Sequence, residues 1–154
     1  MSPTPNPSSR PVELLAPAGD WECVHAAVEN GADAIYFGLD CGFNARSRAQ
    51  NFGIADLPEL SKHLRLRGVR GYVTLNTLVF PEEMDALARV IEQVACSGID
   101  AVLVQDFGVA RLSKAICPEL EVHASTQMSL TSAETIRVAS QLGLSRVVLA
   151  RELS

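Results

Sequence analysis

Gly31-Ala-Asp-Ala-Ile-Tyr-Phe37, Gly98-Ile-Asp-Ala-Val-Leu-Val104 and Gly143-Leu-Ser-Arg-Val-Val-Leu149 are three copies of one joint. An amphipathic helical pattern precedes each glycine, and a short apolar run rich in β-branched residues follows it. Glycine takes the left-handed conformation that ends a helix, and the chain then enters a buried parallel strand. Three such joints in one chain announce a repeated βα architecture.

Working outward, the same pattern predicts strands at 12–16, 34–38, 70–77, 101–105, 121–124 and 146–150. Asp20 can cap a first helix reaching Asn30, with Trp21, Val24 and Val28 on one face. A second helix starts near Asp56, tolerates Pro58 in its first turn, and aligns Leu57, Leu60 and Leu64 before Gly68. Pro81 with Glu82 and Glu83 opens a third, whose stripe is Met84, Leu87, Ile91 and Val94. A short fourth helix is stopped by Pro118. Thr131-Ser-Ala-Glu134 reads as a capping box opening the fifth.

Six strands alternating with five helices imply a parallel sheet. A doubly wound open sheet normally carries a phosphate loop after its first strand, but Ala16-Pro-Ala-Gly-Asp20 has one glycine and no GxGxxG. Polar residues gather instead at strand C-terminal ends, where (β/α) barrels keep their chemistry. The expected fold is a TIM-type α/β barrel, the N-terminal six strands of eight, cut after the sixth. Residues 1–11 read as a disordered Pro/Ser-rich tail and 12–154 as the partial barrel. Its two open sheet edges invite self-association.

The chain has 154 residues, 47% hydrophobic and 20% charged, with a net charge of −5. That balance gives no sign of a general nucleic-acid grip, which normally needs a basic face. The basic cluster Lys62, His63, Arg65, Arg67 and Arg70 reads as cations at a helix C-terminus, favoured by the dipole, with an RNA-facing patch as the alternative. No apolar run is long enough for a membrane span or a secretory signal, so a cytoplasmic protein with no membrane partner is expected. Cys23, Cys41, Cys96 and Cys117 form no CxxC pair and show no metal spacing. Cys23, Cys96 and Cys117 read as small packing residues in helices, and Cys41 lies in a loop.

The candidate rim set is Asn44, Arg46, Asn76, Gln105, Asp106, Gln127, Arg151 and Glu152, beside the run His123-Ala-Ser-Thr-Gln127. Such a set suits a small polar anion, with Arg46 or Arg151 pairing its carboxylates. His123 and Ser125 point the same way along a strand, so His123 can act as base for a nucleophilic Ser125. Equally, His123, Ser125 and Gln127 can be interior groups bonded to one another. Asp106 reads as a base or as the cap of the helix after it. Arg151 and Glu152 read as substrate ligands or as a rim ion pair.

Read together, Glu13-Leu-Leu-Ala-Pro-Ala-Gly19, Gly31 to Gly38, Phe43-Asn-Ala-Arg46, Val73 to Thr77, Val104-Gln-Asp106, His123 to Gln127 and Leu149-Ala-Arg-Glu-Leu153 resemble the N-terminal region of the peptidase U32 family. These are the collagenase-like proteases. The run His123–Gln127 with Ala150-Arg-Glu-Leu153 is similar to the branch that hydroxylates bacterial RNA bases. The resemblance implies either peptidase activity or hydroxylation of a tRNA uridine or ribosomal RNA cytidine, so that tRNA or rRNA is the expected partner. Related members support oxygen-independent ubiquinone hydroxylation. It also implies an iron–sulfur cluster on four cysteines beyond Ser154, outside the four present here, and prephenate as co-substrate. A third expectation is an inactive fragment or a partner-binding half-barrel.

Overall fold

The computed structural model describes residues 12–45 and 50–153. The 1–11 tail, Arg46 and Ser154 lie outside them.

The described chain builds β1 (Leu15–Pro17), α1 (Trp21–Glu29), β2 (Ala34–Gly38), α2 (Leu57–Leu66), β3 (Arg70–Leu75), α3 (Met84–Ser97), β4 (Ala101–Val104), α4 (Phe107–Ile116), β5 (Glu121–Ala124), α5 (Ala133–Gln141) and β6 (Arg146–Val147). Short 3-10 turns, Ile54–Asp56 and Pro81–Glu83, lead into α2 and α3. The strands form one six-stranded sheet in the order β1-β2-β3-β4-β5-β6, with every neighbouring pair parallel. Consecutive strands therefore sit side by side, as a half-barrel requires.

The repeated joint works as its sequence predicts. Gly31, Gly98 and Gly143 have φ of 85°, 82° and 87°, the region a side chain disfavours. In the first two joints the acidic residue two positions on then ties the unit to the strand before it, while the third has Ser145 at that place. Asp33 Oδ2 accepts Leu14 N–H at 2.7 Å, and Asp100 Oδ2 accepts Gly71 N–H at 2.8 Å.

Alternation along the strands splits the apolar residues into two sets. The larger core lies between sheet and helices, where Ile35, Val73, Val102 and Val122 meet Leu60, Leu64, Leu87, Ile91 and Val109. Fully burying one such leucine contributes about 1.5–3 kcal/mol. The smaller cluster is Ala34, Tyr72, Ala101 and Leu103, joined by Leu15, Tyr36 and Val148, and it fills the concave interior.

Several local expectations change. The box opening α5 uses Ser132 and Thr135: Ser132 Oγ accepts Thr135 N–H and Thr135 Oγ1 accepts Ser132 N–H, both at 3.2 Å. Thr131 and Glu134 fall one residue out of that phase. Cys23 and Cys96 are exposed, because the buried stripes of α1 and α3 run through Val24 and Val94. Arg70 leaves the basic cluster, since it opens β3 and points into the interior. At the helix end, Arg65 donates to Gly98 O at 2.8 Å, and Arg67 lies 3.9 Å from Glu29. Among the described residues, no helix is long and apolar enough to cross a membrane.

Candidate functional site

Below the apolar layer, the N-terminal end of the interior is charged. Tyr72 is fully buried and donates its hydroxyl to the Glu13 carboxylate at 2.9 Å. Arg146 pairs with the same carboxylate, and Arg70 pairs with Glu121 at 2.7 Å. The two guanidinium carbons lie 5.3 Å (Arg70) and 5.5 Å (Arg146) from the Tyr72 ring centroid. Ala34 and Ala101, with no side chain beyond Cβ, leave room for these long groups.

The pairing sets the protonation states. Its hydrogen bond with Arg146 holds the Glu13 carboxyl below its usual range, despite burial. Burial pushes the Tyr72 phenol up to about 12, and its bond to Glu13 adds to this. Burial also lowers the His123 pKa, against the pull of Glu121. Burial works against the Glu121 carboxylate, but hydrogen bonds with His123 and Arg70 outweigh it and keep its pKa low.

His123 belongs to this floor. Its Nε2 lies 3.0 Å from Glu121 Oε2, and its ring meets Tyr72 edge-on at 4.9 Å. A carboxylate can only accept, so Nε2 carries the proton.

At the opposite, C-terminal end is a cavity of about 450 Å3. Asn76, Ser125, Thr126, Gln127 and Arg151 line its mouth, while Leu15, Tyr36, Thr74, Leu103 and Val148 line its depth. Among the described residues no carboxylate lines it. Arg151 has no hydrogen-bond or ion-pair partner among them, so its guanidinium is available. The loop after β2 closes one side: Leu39 and Phe52 form a parallel bridge, and Ala45, Gln50 and Asn51 reach the cavity. Gly38 permits this, because a Cβ there would lie 2.8 Å from the Asn44 amide carbon.

Of the rim residues expected from sequence, Asn76, Gln127 and Arg151 meet at this cavity with Ser125. Asn44 is buried beside it and donates to Leu39 O at 2.7 Å. Asp106 caps α4, accepting Gly108 N–H at 2.6 Å. Gln105 and the exposed Glu152 do not line the cavity. His123 and Ser125 are not bonded to each other: Ser125 Oγ engages Asn76 and the Gln127 N–H instead. Tyr36 and Thr74 were missed, although counting back by two from Gly38 and Asn76 finds both. Gln50 and Asn51 lie in a stretch with no periodicity, and the Leu39–Phe52 bridge beside them brings that stretch to the sheet.

The four cysteines do not suit a cluster, which needs converging thiolates. Cys23 is on α1, Cys41 in the loop after β2, Cys96 on α3 and Cys117 at the end of α4. Burial also raises the Cys41 thiol pKa, away from the thiolate. Among the described residues, no three His, Cys, Asp or Glu side chains are grouped to hold a metal ion.

The model of peptidase family U32 matches residues 19–154. The chain belongs to peptidase family U32. It is 39% identical over 147 residues to a 23S rRNA 5-hydroxycytidine synthase of Escherichia coli, covering 96% of this chain and 22% of that protein. It is 37% identical to a collagenase of Porphyromonas gingivalis, covering 92% and 34% of the two chains. Identity is also 37% to tRNA hydroxylation protein P1 of Bacillus subtilis, covering 92% and 33%. This U32 chain thus spans a fifth to a third of the length of these relatives. Among solved structures, the U32 peptidase Mk0906 superposes with a TM-score of 0.74 at 13% identity, covering 96% of this chain and 62% of that one. The YdjI aldolase of Escherichia coli gives 0.60 at 18% identity, covering 86% and 49%. Both likenesses concern the fold.

Proposed function

We propose that this U32 chain is the small-molecule-binding half-barrel of a protein that hydroxylates an RNA base. The observation that carries the reading is the cavity itself: among the described residues its walls carry the Arg151 cation, amides and hydroxyls at the mouth, apolar side chains in its depth and no carboxylate. A compact ring compound bearing carboxylates fits that chemistry, and prephenate is such a compound. Arg151 pairs a carboxylate of the ligand, and Ser125 and Gln127 bond its oxygens. The apolar side chains of Leu15, Leu103 and Val148 face its ring and keep water from it. The relatives named for rRNA and tRNA hydroxylation support RNA as the macromolecular substrate, and a cytoplasmic location goes with that reading. Any iron–sulfur cluster belongs to segments outside residues 1–154.

The collagenase-named relative favours peptide hydrolysis as a second reading. That chemistry needs a base within reach of the Ser125 hydroxyl. His123 is engaged with Glu121 on the floor, and Ser125 Oγ accepts two N–H groups instead of facing an acceptor.

The test is deletion of the gene for the full-length protein, followed by mass spectrometry of rRNA and tRNA nucleosides. A hydroxylated pyrimidine should vanish and return with the wild-type gene, but return weakly with Arg151→Ala. Full restoration by Arg151→Ala overturns the assignment of the cavity. An unchanged nucleoside profile after deletion overturns the RNA reading, and peptide hydrolysis abolished by Ser125→Ala establishes the second.

A further inference from the structure

The Asn76 side chain stands between two elements that both wall the cavity. Its Oδ1 accepts Ala45 N–H at 3.0 Å, and its Nδ2 faces Ser125 Oγ at 3.4 Å. A backbone amide can only donate, so the oxygen of Asn76 must face Ala45 and its NH2 must face Ser125. Ser125 Oγ takes a second N–H, from Gln127, at 3.3 Å. Two donors fill the two lone pairs of one hydroxyl. What remains of Ser125 is its hydroxyl hydrogen, and the side chain is 4% exposed on the wall of the cavity.

The loop after β2 is held at the same point. Asp40 N–H bonds Phe52 O at 2.9 Å and Phe52 N–H bonds Gly38 O at 3.1 Å, which closes the base of the loop. Asn76 then fastens the segment above that base, at Ala45.

We propose that Asn76 is a positioning residue: it straps the segment 39–45 to the cavity wall at Ala45 and makes Ser125 a hydrogen-bond donor aimed inward, so that the cavity selects small ligands presenting an acceptor oxygen. This rests on the cavity being the small-molecule site. Ser125 then serves as a recognition group, in place of the nucleophile its neighbourhood suggests in sequence.

The experiment uses the full-length protein, prephenate as the probe in calorimetry, and hydrogen exchange at the Ala45 amide. Asn76→Asp keeps an acceptor for Ala45 N–H but draws the Ser125 hydrogen to itself. It should leave Ala45 exchange within about twofold of wild type while weakening prephenate binding about tenfold. Ser125→Ala should weaken binding by a similar factor, and the double variant should be no worse than either alone. Losses that multiply mean that Asn76→Asp acts through its added charge, and they overturn the proposal, as does wild-type affinity in Asn76→Asp. Asn76→Ala should speed Ala45 exchange at least about tenfold, since it removes the one bond that amide makes among the described residues. Unchanged exchange overturns the strap. Failure of the wild-type protein to bind prephenate overturns the co-substrate reading and the ligand half of this proposal with it, while Ala45 exchange still decides the strap.

Discussion

Glu13 and Arg146, 133 residues apart in sequence, share one ion pair across the interior of the half-barrel. Glu13 precedes β1 and Arg146 opens β6, so the pair joins the two outermost strands of the sheet. Arg146 Nη2 reaches the second carboxylate oxygen at 3.3 Å, which makes the contact two-pronged.

Because both groups also face Tyr72, removing one partner leaves the others poorly matched. Glu13→Gln or Arg146→Ala should each lower stability by about 2 kcal/mol. Urea denaturation of the full-length protein checks this, and the double variant should lose less than the sum of the two.

Acid should loosen the same floor in two stages. Glu13 and Glu121 have folded pKa values below their ordinary 4.5, so their stabilisation is present above that value and disappears as pH falls through the folded one. His123 acts in the same direction from a higher pH. In the unfolded chain it takes a proton near its ordinary 6.5, whereas the folded site resists that proton. Melting temperature should therefore decline below pH 6.5 and again below pH 4.5. In His123→Gln the first stage should shrink, leaving the part that His63 supplies, whose pKa burial also lowers.

The alanines beside the Arg–Tyr–Arg stack hold its space open. Ala101→Leu, at a fully buried position, should cost about 1–3 kcal/mol by overpacking. A thermal melt reads the loss, and Ala26→Leu on the exposed face of α1 is the control with little change.

His123 lies on the floor, and the cavity walls do not include it. His123→Gln, which still donates to Glu121, should retain the RNA hydroxylation proposed above in the complemented deletion strain. A folded His123→Gln protein with no activity would place the imidazole in the chemistry after all.

The architecture was legible because its signals are local. A glycine ending a helix, a small or acidic residue two positions on (Asp33, Asp100, Ser145) and an apolar run occupy seven consecutive residues, and the structure repeats them in register. The charged floor was hidden for the opposite reason. Arg70 has basic neighbours in the chain, so it reads as a cation at a helix end, whereas its partners Glu13 and Glu121 arrive through strand pairing. Ser125 and His123 are two residues apart and look like a pair. The strand ends at Ala124, however, and the 3-10 turn Thr126–Met128 begins directly after Ser125, so each residue joins a different layer. Cys23 shows how narrow the margin is, since one residue of helical phase separates it from the buried Val24.

The strand order has a consequence for how the protein is made. Every strand from β2 to β6 pairs with the one synthesised just before it, so the sheet can grow on the ribosome as each βα unit emerges, newcomer docking on a finished template. Asp33 and Asp100 act as successive fasteners in that growth. The contact between Glu13 and Arg146 spans the whole sheet: it waits for β6, and its formation marks the moment when a growing ribbon becomes a curved wall around a space.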